Sequence, residues 1–325
     1  MSSLRKIIVL LLVLLAFGAL RLKFERQMLT EFRDAGLMRE QNHLESRDRI
    51  DQTSSAVALG GLRTLVATFL NLRAHGYFER QAWNELQDTY ETIVNLAPQT
   101  RYYWETGSWH MAYNAASYYL HESSRPPLRR KELWRSSILQ GRYFLERGIG
   151  NNPRDWSLHA SLGHMLRDPN KLPAMRDRDA ALMAAHEAYD RSVELGCFSP
   201  MLNQRLSLYC LARVRGRESE ALELARTLHE DPRHHKPTLL ILLYVLEFDA
   251  DPDQDAGALA LRIFGDAKTA YEALAHHWRG NREGYPMDGV AQGLARMEGL
   301  LGIPPLQSIL GQKLAPGFNP DDWFK

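Results

Sequence analysis

Twenty residues, Arg101–Leu120 (RYYWETGSWHMAYNAASYYL), constrain this chain more than any other stretch. They carry eight aromatic or imidazole side chains, too many for an ordinary solvent-facing helix. Pro98 precedes the run and Pro126-Pro127 follows it, so it reads as a single helix with punctuated ends. Tyr102, Glu105, Trp109 and Tyr113 recur at three- and four-residue steps and therefore share one face. Tyr103, Gly107, His110 and Asn114 lie beside them, while Trp104, Met111 and Tyr118 fall towards the other side. Bulk over so much of the circumference predicts packing on two sides, as for an inner helix of a stack.

The rest of the chain agrees with an all-α fold. From Ala56 onward no alternating apolar run with an Asn-Gly or Asp-Gly turn appears, so strands are not expected. Leu62, Leu65, Val66, Phe69, Leu70 and Leu72 make an apolar set, with Arg63, Asn71, Arg73 and His75 supplying the polar side. Gly76 breaks this helix, and Trp83, Leu86, Tyr90, Ile93 and Val94 form the next stripe before Pro98. Leu239–Phe248 (LLILLYVLEF) is apolar all round but too short to span a bilayer, which predicts a buried helix. Asp255–Phe264 and Lys268–Trp278 continue the pattern, Gly280 to Pro286 reads as a loop, and Asp288–Gly302 as a final helix.

The same punctuation returns along the chain. Pro98 is followed by Trp104, and Pro153 by Trp156, Leu162 and Gly163, with Ala185, Tyr189 and Ser192 at helical spacing beyond. After Pro200 come Leu208, Tyr209 and Ala212, a turn at Gly216, then Ala221, Ala225, Leu228 and Pro232. Small residues at 221 and 225 let paired helices approach closely. On these residues, 62–265 resembles degenerate tetratricopeptide repeats, whose unit is a helical hairpin of about 34 residues. The spacings drift, with a basic insertion near 121–135 and another at Arg167–Asp179. Ala58–Arg73 also resembles the opening helix of bacterial membrane-anchored repeat proteins of unassigned function. The resemblance implies a right-handed solenoid of stacked hairpins with a groove lined by first helices. Carried over by position, the groove would present Tyr102, Glu105, Trp109 and Tyr113, then His164 and Arg167, then Asn203 and Arg213. The other reading of Trp109 and Tyr113 is packing against the next repeat.

The N-terminus supplies an address. Arg5 and Lys6 precede fourteen apolar residues, Ile7–Leu20, with Arg21, Lys23 and Arg26 beyond. That is shorter than the usual span of about 20 residues and close to a signal-peptide core. Phe17-Gly18-Ala19 is a poor cleavage site and no cysteine follows, so an uncleaved signal anchor is favoured over a cleaved signal peptide. Snorkelling of Lys6 and Arg21 extends its reach. Basic residues on both flanks leave the positive-inside rule nearly silent, and the short tail makes an extracytoplasmic C-terminal domain the default. The expected organisation is an anchor at 1–23, a charged helical stalk at 24–55, a repeat domain at 56–265 and a helical cap and tail at 266–325. Phe318 to Phe324 ends the chain with aromatics that either dock back as a cap or meet a partner.

Candidate chemistry is sparse. His159 and His164 stand five apart, His229 precedes His234-His235, and His276-His277 form a pair, none with the spacing of HExxH. Asp249, Asp251, Asp253 and Asp255 alternate as in an EF-hand, but Gln254 replaces the turning glycine and Ala260 the bidentate glutamate. No GxSxG elbow, P-loop or Rossmann glycine pattern occurs. Cys197 and Cys210 are the two cysteines, without a CxxC pair. Arg125–Arg135 (RPPLRRKELWR) is a local basic run, yet the formal net charge is +1, so nucleic acid is not an expected partner. Hydrophobic content of 45% and charged content of 24% are those of a folded chain.

The expectation is a non-catalytic, membrane-anchored helical-repeat scaffold in the inner membrane that binds a protein or peptide, with no cofactor and no metal. Two other readings stand beside it. One is a cell-envelope enzyme with an aromatic-lined cleft holding a carboxylate pair. The other is a structural subunit of a larger membrane complex, which would expose a large apolar patch when alone.

Overall fold

The computed structural model describes residues 62–280, 284–311 and 324. The expected anchor and stalk, and the tail aromatics Phe318 and Trp323, lie outside the described residues. Among those residues the chain is all-helical, without strands. No helix among them is long and apolar enough to cross a membrane. The chain divides between Tyr103 and Trp104 into two compact units.

In the first unit, α1 (Leu62–Glu79) packs against α2 (Trp83–Leu96). α2 buries the stripe expected of it: Trp83, Leu86, Tyr90, Ile93 and Val94. α1 does not. Ala67 and Ala74 make its buried side, whereas Leu65, Val66, Phe69 and Leu72 are exposed, Phe69 at 69%. Small alanines allow the two helices to lie close, which turns the larger side chains outward. The Tyr90 hydroxyl donates to Asn71 Oδ1 at 3.0 Å across the pair.

α3 (Arg101–Trp109) runs without a break into a π-helical segment, His110–Ala115, and then into α4 (Ala116–His121). The second unit continues with α5 (Pro127–Asn151), α6 (Trp156–Arg167), α7 (Arg178–Glu194) and α8 (Pro200–Leu211). It ends with α9 (Glu218–His229), α10 (Pro237–Ala250), α11 (Ala256–Phe264), α12 (Ala267–Gly280) and α13 (Val290–Leu301). From α5 to α13 each helix packs against its neighbours in sequence, and few pairs lie further apart. The helix starts have local causes. Pro127, Pro200 and Pro237 occupy first-turn positions, where a missing N–H costs nothing. Asp155, Asp177 and Asp255 accept backbone N–H groups as N-caps of α6, α7 and α11. Gly216, at φ +78°, makes the turn between α8 and α9 that its position implied.

Most of the basic run lies in the opening turns of a 25-residue helix, α5. The second insertion folds as a loop with a 3-10 turn, Leu172–Ala174, whose Leu172 and Ala174 are buried. α10 is the buried helix expected, with Leu239, Leu242, Tyr244 and Val245 wholly shielded at the centre of a core spanning α8 to α13. Phe324 is buried and lies edge-on to Trp134 of α5, ring centroids 5.6 Å apart.

Candidate functional site

The aromatic helix positions the site through its buried back. Trp104, Met111, Ala112, Ala115 and Ala116 are almost fully shielded, and α5 packs against the π segment and α4. Gly141 of α5 marks the closest approach. A methyl group there would stand 2.5 Å from Ala112 Cβ and 2.8 Å from the Ser108 carbonyl oxygen. Because a π turn holds more residues than an α turn, Tyr113 is rotated backward relative to an ideal four-residue step from Trp109.

The other face of the same helix opens on a cavity of about 260 Å³, closed on the far side by α6. Glu105, Trp109 and Tyr113 line it from the aromatic helix, and Ser161 and His164 from α6. Ser157 and Ser161, one turn apart, both donate their hydroxyls to Glu105 Oε1, at 2.8 and 3.0 Å. The carboxylate is thereby fixed to α6 as well as to its own helix, and charge-assisted bonds of this kind are the stronger ones.

His164 follows on the same face of α6. Its Nδ1 lies 2.9 Å from the Tyr189 hydroxyl, with the two rings edge to face. Burial drives the Tyr189 phenol far above its ordinary range, so it stays protonated. With Tyr189 as donor, Nδ1 is the acceptor and Nε2 carries the imidazole proton. Burial, with Arg167 nearby, holds the His164 pKa below its usual value, which keeps the ring neutral at neutral pH. Tyr113 is pushed up to about 12, chiefly by burial and then by Asp168. The Lys171 ammonium stands 4.6 Å above the Tyr113 ring, a cation–π contact that holds the ring in place. Trp109 remains 50% exposed, unusual for the largest side chain at the edge of a cavity.

The arrangement presents aromatic surface, one carboxylate and a neutral imidazole. Glu105 is the single carboxylate lining the cavity, so no pair of carboxylates faces across it. The structure therefore brings together Glu105, Trp109, Tyr113 and His164 of the expected set. It distributes the others. Tyr102 is exposed, in the first unit, edge-on to Tyr103 at 5.6 Å. Arg167 is half-buried, and its carbonyl accepts from Arg213 Nη2 at 3.3 Å. Asn203 is buried and donates to Ser192 Oγ and Cys197 Sγ, at 3.0 and 3.4 Å, tying α8 to the end of α7. Arg213 is 4% exposed and stacks over Tyr285, in the wall of a different cavity.

Sequence reasoning missed Ser157, Ser161 and Lys171, whose contacts are made across long sequence separations. It also missed a serine–histidine–aspartate group between α7 and α8. His186 Nδ1 lies 2.7 Å from Ser207 Oγ, and Ser207 donates to Asp190 Oδ1 at 2.6 Å. Ser207 is wholly buried, and His186 Nε2 also stands 3.4 Å from Asp190 Oδ2, so the three side chains tie α7 to α8.

No family model matches the chain, and no curated protein matches it.

Proposed function

We propose that this protein is a non-catalytic scaffold that binds a protein or peptide partner through the Glu105–Trp109–Tyr113–His164 cavity. The observation that carries this reading is the half-exposed Trp109 at the rim of a preformed cavity whose polar groups are already fixed. Aromatic side chains held rigid by their neighbours contribute most to binding because little entropy remains to be lost. The single carboxylate supports binding over hydrolytic chemistry. The helical hairpins are read as a degenerate, right-handed tetratricopeptide-type solenoid, supported by helices that pack chiefly on their sequence neighbours. Ile7–Leu20 is read as a single-pass inner-membrane anchor, which places the helical domain in the cell envelope outside the cytoplasm. The test is affinity purification from solubilised membranes with the Trp109→Ala, Tyr113→Ala double variant. Loss of the co-purifying partner with unchanged helix content supports the reading; loss of helix content assigns both residues to the core and overturns it. Intact mass of the same sample reports whether Ile7–Leu20 is retained.

One observation favours a second reading, a structural subunit of a larger membrane assembly. Leu65, Val66, Phe69 and Leu72 form an exposed apolar stripe along α1. A patch of that kind is covered in the working state of most soluble domains. Replacing Phe69 and Leu72 by serine should leave capture at the aromatic cavity intact and release a subunit held through α1.

A further inference from the structure

A second cavity, of about 270 Å³, lies where α7 and α9 begin, α8 ends and the segment Gly284–Asp288 passes. Its walls are charged with opposite sign. Arg178, Arg213 and Arg215 line it together with Glu218, Asp249 and Asp288. Arg178 and Arg215 both turn to Asp179, at 3.3 and 2.8 Å. Arg178 also donates to the carbonyls of Arg213 and Gly284. Asp249 and Asp288 form no ion pair among the described residues. Glu218 accepts from the Gly216 N–H at 2.9 Å.

We infer that this cavity binds a free α-amino acid as its zwitterion, with the carboxylate at Arg178 and the ammonium at Asp249 and Asp288. A simple anion entering the cavity meets the carboxylates, and a simple cation meets the arginines. A molecule carrying both charges a few atoms apart satisfies both walls. The volume is at the small end of ligand sites, where about 300 Å³ is the usual lower range, and it suits an amino acid better than a nucleotide or a folded peptide. Tyr285, stacked against Arg213 at 5.3 Å, supplies one apolar surface for a side chain. Burial and then Arg213 lower the Arg178 pKa, while burial and then Asp288 and Glu218 raise that of Asp249. The inference stands apart from the partner site at Glu105, with which this cavity shares no lining residue.

The experiment is isothermal titration of the full chain with each standard amino acid, and with the N-acetyl and carboxamide forms of any that bind. The expected result is saturable binding of at least one amino acid. Either blocked form and either variant, Asp249→Asn or Arg178→Gln, should weaken it by about tenfold or more, since each removes one charged contact. Asp249 is exposed and its asparagine is nearly isosteric, so that variant should keep its fold; circular dichroism verifies this, and the blocked ligands test the same point on the unaltered protein. Absence of binding by every amino acid, or equal binding of blocked and free forms, overturns the inference.

Discussion

Ser161 of α6 donates its hydroxyl to Glu105 at 3.0 Å, and so joins two helices that lie more than fifty residues apart in sequence. With Ser157 it makes Glu105 a structural hinge-pin as well as a cavity group. Glu105→Gln preserves the acceptor oxygen and removes the charge. Its stability should change by less than about 1 kcal/mol, while capture of a partner that reads the charge should fall. The Ser157→Ala, Ser161→Ala double variant removes both donors from a half-buried carboxylate and should lose about 1–2 kcal/mol. Urea denaturation beside partner capture separates the two effects.

Gly141 meets Ala112 on the back of the π segment with no room for a methyl group. Gly141→Ala should therefore destabilise by roughly 1–3 kcal/mol, despite the better helix propensity of alanine. For a domain of this size that corresponds to a fall in Tm of about 2–4 °C per kcal/mol. A rise in Tm would show that α5 and the π segment separate easily.

Much of the fold could be read from the chain because its signals are local. Prolines at 127, 200 and 237 each open a helix, and the all-round apolar run at Leu239–Phe248 becomes the buried α10. What escaped depends on neighbours. The π segment lies against α5 where Gly141 meets Ala112, a contact that no periodicity in 101–121 announces. The stripe on α1 faces outward because two alanines suffice for its contact with α2. At the site, three- and four-residue spacing grouped Tyr102, Glu105, Trp109 and Tyr113, of which the last three line one cavity. The polar residues Asn203 and Arg213 satisfy their hydrogen bonds inside, a choice set by tertiary partners and invisible to helical phase.

Phe324 packs edge-on against Trp134, and the Arg130 guanidinium lies 5.9 Å from its ring centroid. Aromatic pairs of this geometry contribute about 0.5–1.5 kcal/mol beyond their buried area. Phe324→Ala should lower Tm by several degrees on the same size scaling, and Phe324→Leu by less. Equal Tm values for all three proteins would mean that the contact adds nothing to stability.

Protonation of desolvated imidazoles gives the chain a stability that falls with acid. Burial lowers the folded-state pKa of His159, His164, His229, His234 and His277 below the ordinary 6.5. Near and below that value the unfolded chain binds more protons than the folded one, so stability rises with pH across the window. The lowered carboxylates, Asp231 at about 2 among them, act below their ordinary 3.8 to 4.5 and leave this window to the histidines. Urea midpoints measured at about pH 5.5 and about pH 7.5 should therefore differ, with the higher midpoint at the higher pH. His277 is the best single probe, because it is buried and its Nε2 donates to the Pro286 carbonyl at 3.0 Å. His277→Gln keeps a donor within reach of that carbonyl but removes the titration, so the difference between the two midpoints should shrink. An unchanged difference would place the pH dependence in the other four histidines.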